Sequence, residues 1–211
     1  MQLHEAYRPS SWSEVVGQDK ALAKLARLRN RGLAGRAYWI SGQSGTGKTT
    51  IARLVAAEVA DEWATEELDG SKMTTAKVDD FEGRLAYRPL GKGLCVIVNE
   101  AHLLTPRVIG RLLVTIESLP AWATLVFTTT CEAQAELCEA RLDASAFLSR
   151  CVLIPLARRD LAKPFAERAR EIADREGLNG RPIEAYVKLA KDCRNNMRAM
   201  LQRIEAGDLA E

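Results

Sequence analysis

The chain has 211 residues, of which 47% are hydrophobic and 27% charged, and its formal net charge is +2. That supplies an ordinary buried core for one medium and one small domain, while the charge is too small to argue for a nucleic-acid partner by itself. No run approaches the ~20 consecutive apolar residues of a membrane span, and the N-terminus lacks an apolar signal core, which points to a cytoplasmic protein with no membrane partner.

In chain order, Tyr7-Arg8-Pro9 and Val15-Val16-Gly17-Gln18 precede a basic stretch from Lys20 to Arg36, of which Lys24–Arg36 is read as a solvated helix face and its exit loop. Ala37–Ser41 is too short for a helix and rich in aromatic and β-branched residues, which suits a buried parallel strand. It runs into Gly42-Gln43-Ser44-Gly45-Thr46-Gly47-Lys48-Thr49, after which Ile51, Leu54, Val55 and Val59 share one helical face. The acidic stretch Asp61 to Asp69 hides a weaker strand near Ala64–Leu68. A stronger strand, Leu94–Val98, ends in Asn99-Glu100-Ala101-His102. Val108, Ile109, Leu112, Leu113 and Ile116 form the next helical stripe, followed by strands at Thr124–Thr128 and Cys151–Pro155. Strands alternating with helices predict an α/β fold, a parallel sheet sandwiched by helices. After Pro155 only helical stripes remain: Leu161, Phe165, Ala169 and Ile172; then Ile183, Tyr186, Val187 and Ala190; then Met197, Met200, Leu201 and Ile204. The expected division is an α/β domain over residues 1–156 and a three-helix lid over residues 157–211. The five cysteines (Cys95, Cys131, Cys138, Cys151, Cys193) form no CxxC pair, so reduced thiols and no zinc are expected.

The segment Gly42–Thr49 fits GxxxxGK[ST] in the right context, with a strand leading in and a helix leading out. Glycines let successive backbone N–H groups turn inward as an anion nest, and the helix N-terminus adds its partial positive charge. Gly42, Gly45, Thr46, Gly47, Lys48, Thr49 and Thr50 are therefore expected to hold ATP. Lys48 would reach the β- and γ-phosphates, and the Thr49 hydroxyl would ligate Mg2+. The strand end at Asn99-Glu100 reads as the second half of such a site, with Glu100 polarising the attacking water. The usual aspartate is replaced by Asn99, which can accept a hydrogen bond beside Mg2+ but carries no charge. Binding is thus a firmer expectation than hydrolysis.

With those residues in place, the chain resembles the clamp-loader ATPases of the AAA+ class, the bacterial gamma/tau subunit and the small subunits of replication factor C. Tyr7-Arg8-Pro9 with Val15-Val16-Gly17-Gln18 looks like the family box that packs around adenine, which implies roles for Arg8, Pro9, Val16 and Gly17. Asn99–Leu104 resembles the D-E-x-H-x-L box, and Phe127-Thr128-Thr129-Thr130 looks like sensor 1, with Thr129 placing water or γ-phosphate. Ser149-Arg150-Cys151 resembles the S-R-C segment whose arginine enters a neighbouring subunit's ATP site. Asn196-Met197-Arg198-Ala199 looks like sensor 2, S-x-R-D, with Arg198 facing the γ-phosphate and the flanking Ser and Asp missing. The resemblance implies other AAA+ subunits as partners, a primer-template DNA bound without sequence preference, and a sliding clamp. Arg107 and Arg111, on one face of the helix after Asn99-Glu100, are the candidates for DNA phosphates. The zinc insert and C-terminal collar of the gamma/tau pattern have no counterpart among these 211 residues, so neither is expected. A ring is then expected to rest on contacts between ATPase modules or on separate subunits. Two other readings stay open: an AAA+ DNA-processing ATPase of phage or mobile-element type, and a nucleotide-binding scaffold whose turnover Asn99 has weakened.

Overall fold

The computed structural model describes residues 2–130, 142–178 and 180–209. Five strands, β1 Arg36–Ser41, β2 Thr65–Asp69, β3 Leu94–Asn99, β4 Ala123–Thr129 and β5 Cys151–Pro155, form one sheet in the order β2-β3-β4-β1-β5. Every pairing is parallel. The helices, in chain order, are α1 Leu3–Ala6, α2 Asp19–Arg29, α3 Lys48–Val59, α4 Thr75–Leu85, α5 Pro106–Glu117, α6 Leu142–Ser149, α7 Ala162–Glu176, α8 Ile183–Asp192 and α9 Met197–Glu205. The expected α/β architecture is therefore present, including the weakly patterned strand β2. Its weakness has a cause: β2 is an edge strand, and Glu66 and Glu67 serve ion pairs with Lys77, Arg84 and Arg53 instead of a core.

Alternate residues of each strand feed different layers. Trp39, Val96, Leu125 and Phe127 pack with α4, α5 and α6 on one face; Tyr38, Ile40, Ile97 and Val126 pack with α2 and α3 on the other. In the first layer Trp39, Phe127 and Phe147 form an aromatic triangle, with Phe147 edge-on to both partners at 5.8 and 5.1 Å between ring centroids. Pro106 opens α5 at a position whose N–H would be unsatisfied in any case, and the Thr105 side chain caps it at the Val108 N–H. Burial keeps the Cys95 and Cys151 thiols protonated, pushing both up to about 12; Cys131 and Cys138 lie outside the described residues.

A third core lies beyond the sheet. Leu161, Phe165 and Ile172 of the α7 region meet Tyr186 and Leu189 of α8 and Met200, Leu201 and Ile204 of α9. Leu3 joins this core, with Tyr7 and Val16 packed against it, so the N-terminal segment bridges the sheet and the helical bundle. Among the described residues no helix is long and apolar enough to cross a membrane.

Candidate nucleotide site

The site is built at the C-terminal ends of β1, β3 and β4, where ligands gather in open parallel sheets. Strand β1 delivers the turn Gly42–Gly47, and Gly47 then stands as the N-cap of α3 without any side-chain cap. By contrast, α4, α5 and α9 are capped by the side chains of Thr74, Thr105 and Asn196. The first-turn N–H groups of α3 are left for an anion. Lys48 is buried beside them, its Nζ donating to the carbonyl oxygens of Gly42 (3.1 Å) and Gln43 (3.0 Å). Its charge is thus held over the loop where phosphates would enter.

Beside the loop, Asn99 closes β3. Its Oδ1 accepts from Thr49 Oγ1 (3.2 Å) and Thr128 Oγ1 (2.9 Å), while its Nδ2 donates to Glu67 Oε1 (2.8 Å). Glu100, the next residue, takes a left-handed backbone, φ 50° and ψ 48°, which is uncommon outside glycine. Gly70 presses against that turn: a Cβ there would lie 2.5 Å from the Glu100 carbonyl oxygen. The Glu100 carboxylate reaches His102 Nδ1 at 3.5 Å, and Thr129 Oγ1 lies 3.3 Å from the same nitrogen. The two threonines therefore separate. Thr129, the residue expected at sensor 1, joins Glu100 through His102, whereas Thr128 joins the Thr49–Asn99 pair and was missed.

Above the loop opens a cleft of about 1000 Å³ of empty space, its mouth included. Tyr7, Arg8, Pro9, Val15 and Val16 form one wall; Phe165, Arg168, Ile172, Met197, Arg198 and Leu201 form the other; Ser44 to Thr50 and Glu100 form the floor. Burial, then the nearby Arg53 and Arg198, depress the pKa of Arg8, while Glu67 and Glu5 act in the opposite direction. Gly17 and Gly42 do not line this cleft. Gly17 instead packs under Leu161, and Gly42 under Leu156 and Thr46. The residues present fit a magnesium nucleotide: an uncapped helix N-terminus, a buried lysine, a hydroxyl beside an amide oxygen, and converging arginines.

Over residues 38–148, more than half of the chain, the sequence matches the model of the ATPase family associated with various cellular activities (AAA). The chain belongs to the AAA family of ATPases. Its curated relatives include the DNA polymerase III gamma/tau subunit of Mycoplasma pneumoniae, 26% identical over 96% of this chain and 32% of that protein. The tau/gamma subunit of Haemophilus influenzae is 28% identical over 98% and 33%. The gamma/tau subunit of Mycobacterium bovis is 31% identical over 62% and 27%. The resemblance to the gamma/tau subunits drawn from the motifs is thus borne out, for a chain that spans about a third of the length of the first of these relatives. Among solved structures, the Thermotoga maritima RuvB Holliday junction branch migration motor superimposes with a TM-score of 0.71 at 21% identity, over 94% of this chain and 64% of RuvB. That likeness is one of fold.

Two contacts tie the C-terminal helical bundle of this AAA chain to its phosphate loop, and the motifs disclosed neither. Gln18 is buried; its Nε2 donates to the Thr46 carbonyl (3.2 Å) and its Oε1 accepts from the Ala157 N–H (2.7 Å). At the other end, Met197 N–H donates to the Gly45 carbonyl (3.2 Å), and a Cβ on Gly45 would lie 1.9 Å from Asn196 Oδ1. Only a glycine lets the α9 N-terminus sit that close, and this contact carries Arg198 to the cleft. Gln18→Leu is expected to leave the Thr46 carbonyl and the part-buried Ala157 N–H unpaired, at about 1–3 kcal/mol for the buried carbonyl and less for the N–H. Urea unfolding measures it; a loss below about 0.5 kcal/mol, ordinary for a surface change, would mean that Gln18 joins nothing of consequence.

The remaining candidates lie elsewhere. Arg150, exposed at the start of β5, donates through Nε to Glu117 Oε1 (2.6 Å) and through Nη1 to the Ala146 carbonyl (3.0 Å), and it is not part of the cleft. Arg107 and Arg111 share a shallow depression with Thr75, Asp79 and Gly110. Arg107 is exposed, whereas Arg111 is held by Asp79 and by Glu82 (2.7 Å), so part of its charge is already matched.

Proposed function

We propose that this chain binds and hydrolyses ATP as the motor module of a clamp-loader-like assembly, working with other AAA+ subunits on DNA. The observation that carries the reading is a division of labour. Lys48, Thr49, Glu100 and Arg198 gather at one cleft, while Arg150 stands exposed outside it, available to a neighbour. In this reading residues 1–156 form the nucleotide-binding domain and residues 157–211 the lid, in a cytoplasmic protein.

The chemistry follows from the side chains. The α3 N-terminus and Lys48 bind the phosphates, with Arg8 and Arg198 adding charge from opposite walls. Thr49 and Asn99 would hold Mg2+, which supplies neutralisation of phosphate charge. Glu100 takes the proton of the attacking water, oriented from the Thr129–His102 side. Arg150 of one subunit completes its neighbour's site, where a fixed guanidinium matches charge building on γ-oxygens. Arg107, with Arg111 if its carboxylate partners yield, meets DNA phosphates without reading sequence. A sliding clamp is the partner that the gamma/tau likeness suggests.

Steady-state ATP turnover against protein concentration, with and without primer-template DNA, tests this. Turnover per chain should rise with concentration and with DNA. Tight ATP binding with negligible turnover throughout would favour the scaffold reading; turnover indifferent to both variables would remove the oligomeric DNA motor.

A further inference from the structure

Glu67 belongs to none of the motifs, and the nucleotide site as read so far gives it no task. It is the middle residue of β2, with its side chain directed at α3. Arg53, one turn along α3 from Thr49, clamps its carboxylate, Nε to Oε2 at 2.7 Å and Nη2 to Oε1 at 3.2 Å. The same Oε1 accepts from Asn99 Nδ2 at 2.8 Å. Asn99 turns its other end, Oδ1, to Thr49 and Thr128.

An asparagine amide has one donor end and one acceptor end, and its neighbours decide which end faces where. The hydroxyls of Thr49 and Thr128 can donate or accept, so they do not choose. A carboxylate can only accept. Reversing the Asn99 amide would set Oδ1 against Glu67 Oε1, exchanging a charge-assisted hydrogen bond for a repulsive contact. An aspartate in the same place would present an acceptor oxygen in either orientation and would need no such partner. Glu67 is largely matched in charge by Arg53, so what it contributes is direction.

We infer that Glu67 is the positioning residue that lets a neutral Asn99 serve beside the nucleotide, by locking the amide with Oδ1 toward Thr49. This rests on the magnesium–ATP reading above. It makes residues 67 and 99 a coupled pair, so that the effect of losing Glu67 depends on what stands at 99.

The test is the affinity of the full chain for ATP by calorimetry, with and without Mg2+, in four proteins: wild type, Glu67→Ala, Asn99→Asp and the double variant. Glu67→Ala should lower the Mg2+-dependent tightening by about 10–100-fold, the usual effect of losing an outer partner of a metal site, and leave metal-free binding unchanged. Glu67→Gln, whose amide can turn either an acceptor or a donor to Asn99, should recover only part of that loss. In the Asn99→Asp background, Glu67→Ala should cost nothing or tighten binding, because it separates two facing carboxylates. Equal losses in both backgrounds would make Glu67 a plain strand residue and overturn the inference, as would no loss in the Asn99 protein. A wild-type chain that binds no ATP would overturn the nucleotide reading itself and this inference with it. Metal-tightened binding that ignores Glu67 overturns the inference alone.

Discussion

Arg150→Ala is expected to reduce ATP turnover by roughly 10³–10⁵-fold, the range attached to arginine fingers, while leaving ATP affinity within a few-fold of wild type. Arg150 lies outside the cleft of its own chain, so its removal takes nothing from nucleotide binding there. Nor should the fold suffer: the side chain is exposed, and its partner Glu117 is more exposed still, a pairing typically worth about 0–1 kcal/mol. Breaking that pair is what engagement with a neighbour requires, at a cost small enough for an incoming phosphate to meet. A mixing experiment separates action in trans from local damage. Neither Arg150→Ala nor Glu100→Gln should turn over alone. Mixed, they create interfaces in which an intact Glu100 meets an intact Arg150, and part of the activity should return. Wild-type turnover by Arg150→Ala, or no recovery on mixing despite assembly, would remove the finger from this chain.

Much of this site was legible in one dimension because its parts are contiguous. Gly42–Thr49 contains its own turn, donors, lysine and hydroxyl, and strand-then-helix context supplied the rest. What escaped depends on partners distant in sequence. Gln18 was visible as the last residue of the N-terminal box. Its task became plain only when Thr46 and Ala157 closed around it. The exchange between Thr128 and Thr129 could have been anticipated. Thr128 has the parity of Val126, and Asn99 that of Ile97, and both parities face α3; strand alternation therefore sets Thr128 beside Asn99. The pairing of Arg111 was hidden for another reason. Helix α4, whose Asp79 and Glu82 hold it, has no contiguous motif and went unread, so a charge that looked free in sequence is shared in space. The edge strand β2 shows the same limit from the other side. Its acidic residues lowered its strand signal, and those residues are what link it to α3, α4 and Asn99.

Glu100→Gln is expected to lower the rate of ATP hydrolysis by about 10²–10⁴-fold, the contribution of a positioned general base, and to leave ATP binding intact. The substitution isolates chemistry from backbone geometry. Glu100 occupies the left-handed region at φ 50°, and glutamine enters it with the same Cβ and the same strain, so the turn pinned against Gly70 is unchanged. Lost is only the negative oxygen that, in the proposed mechanism, accepts the water's proton. The consequence for the nucleotide is specific: ATP should accumulate on the protein, because the proposed capture by Lys48 and the cleft walls is intact while consumption is slow. Single-turnover measurements with saturating protein separate the two steps, giving a slow cleavage phase after normal binding. Equal slowing of both steps would mean that residue 100 shapes the loop instead of acting on water. An unchanged cleavage rate would assign the base elsewhere, with His102 next in line, since it already touches both Glu100 and Thr129.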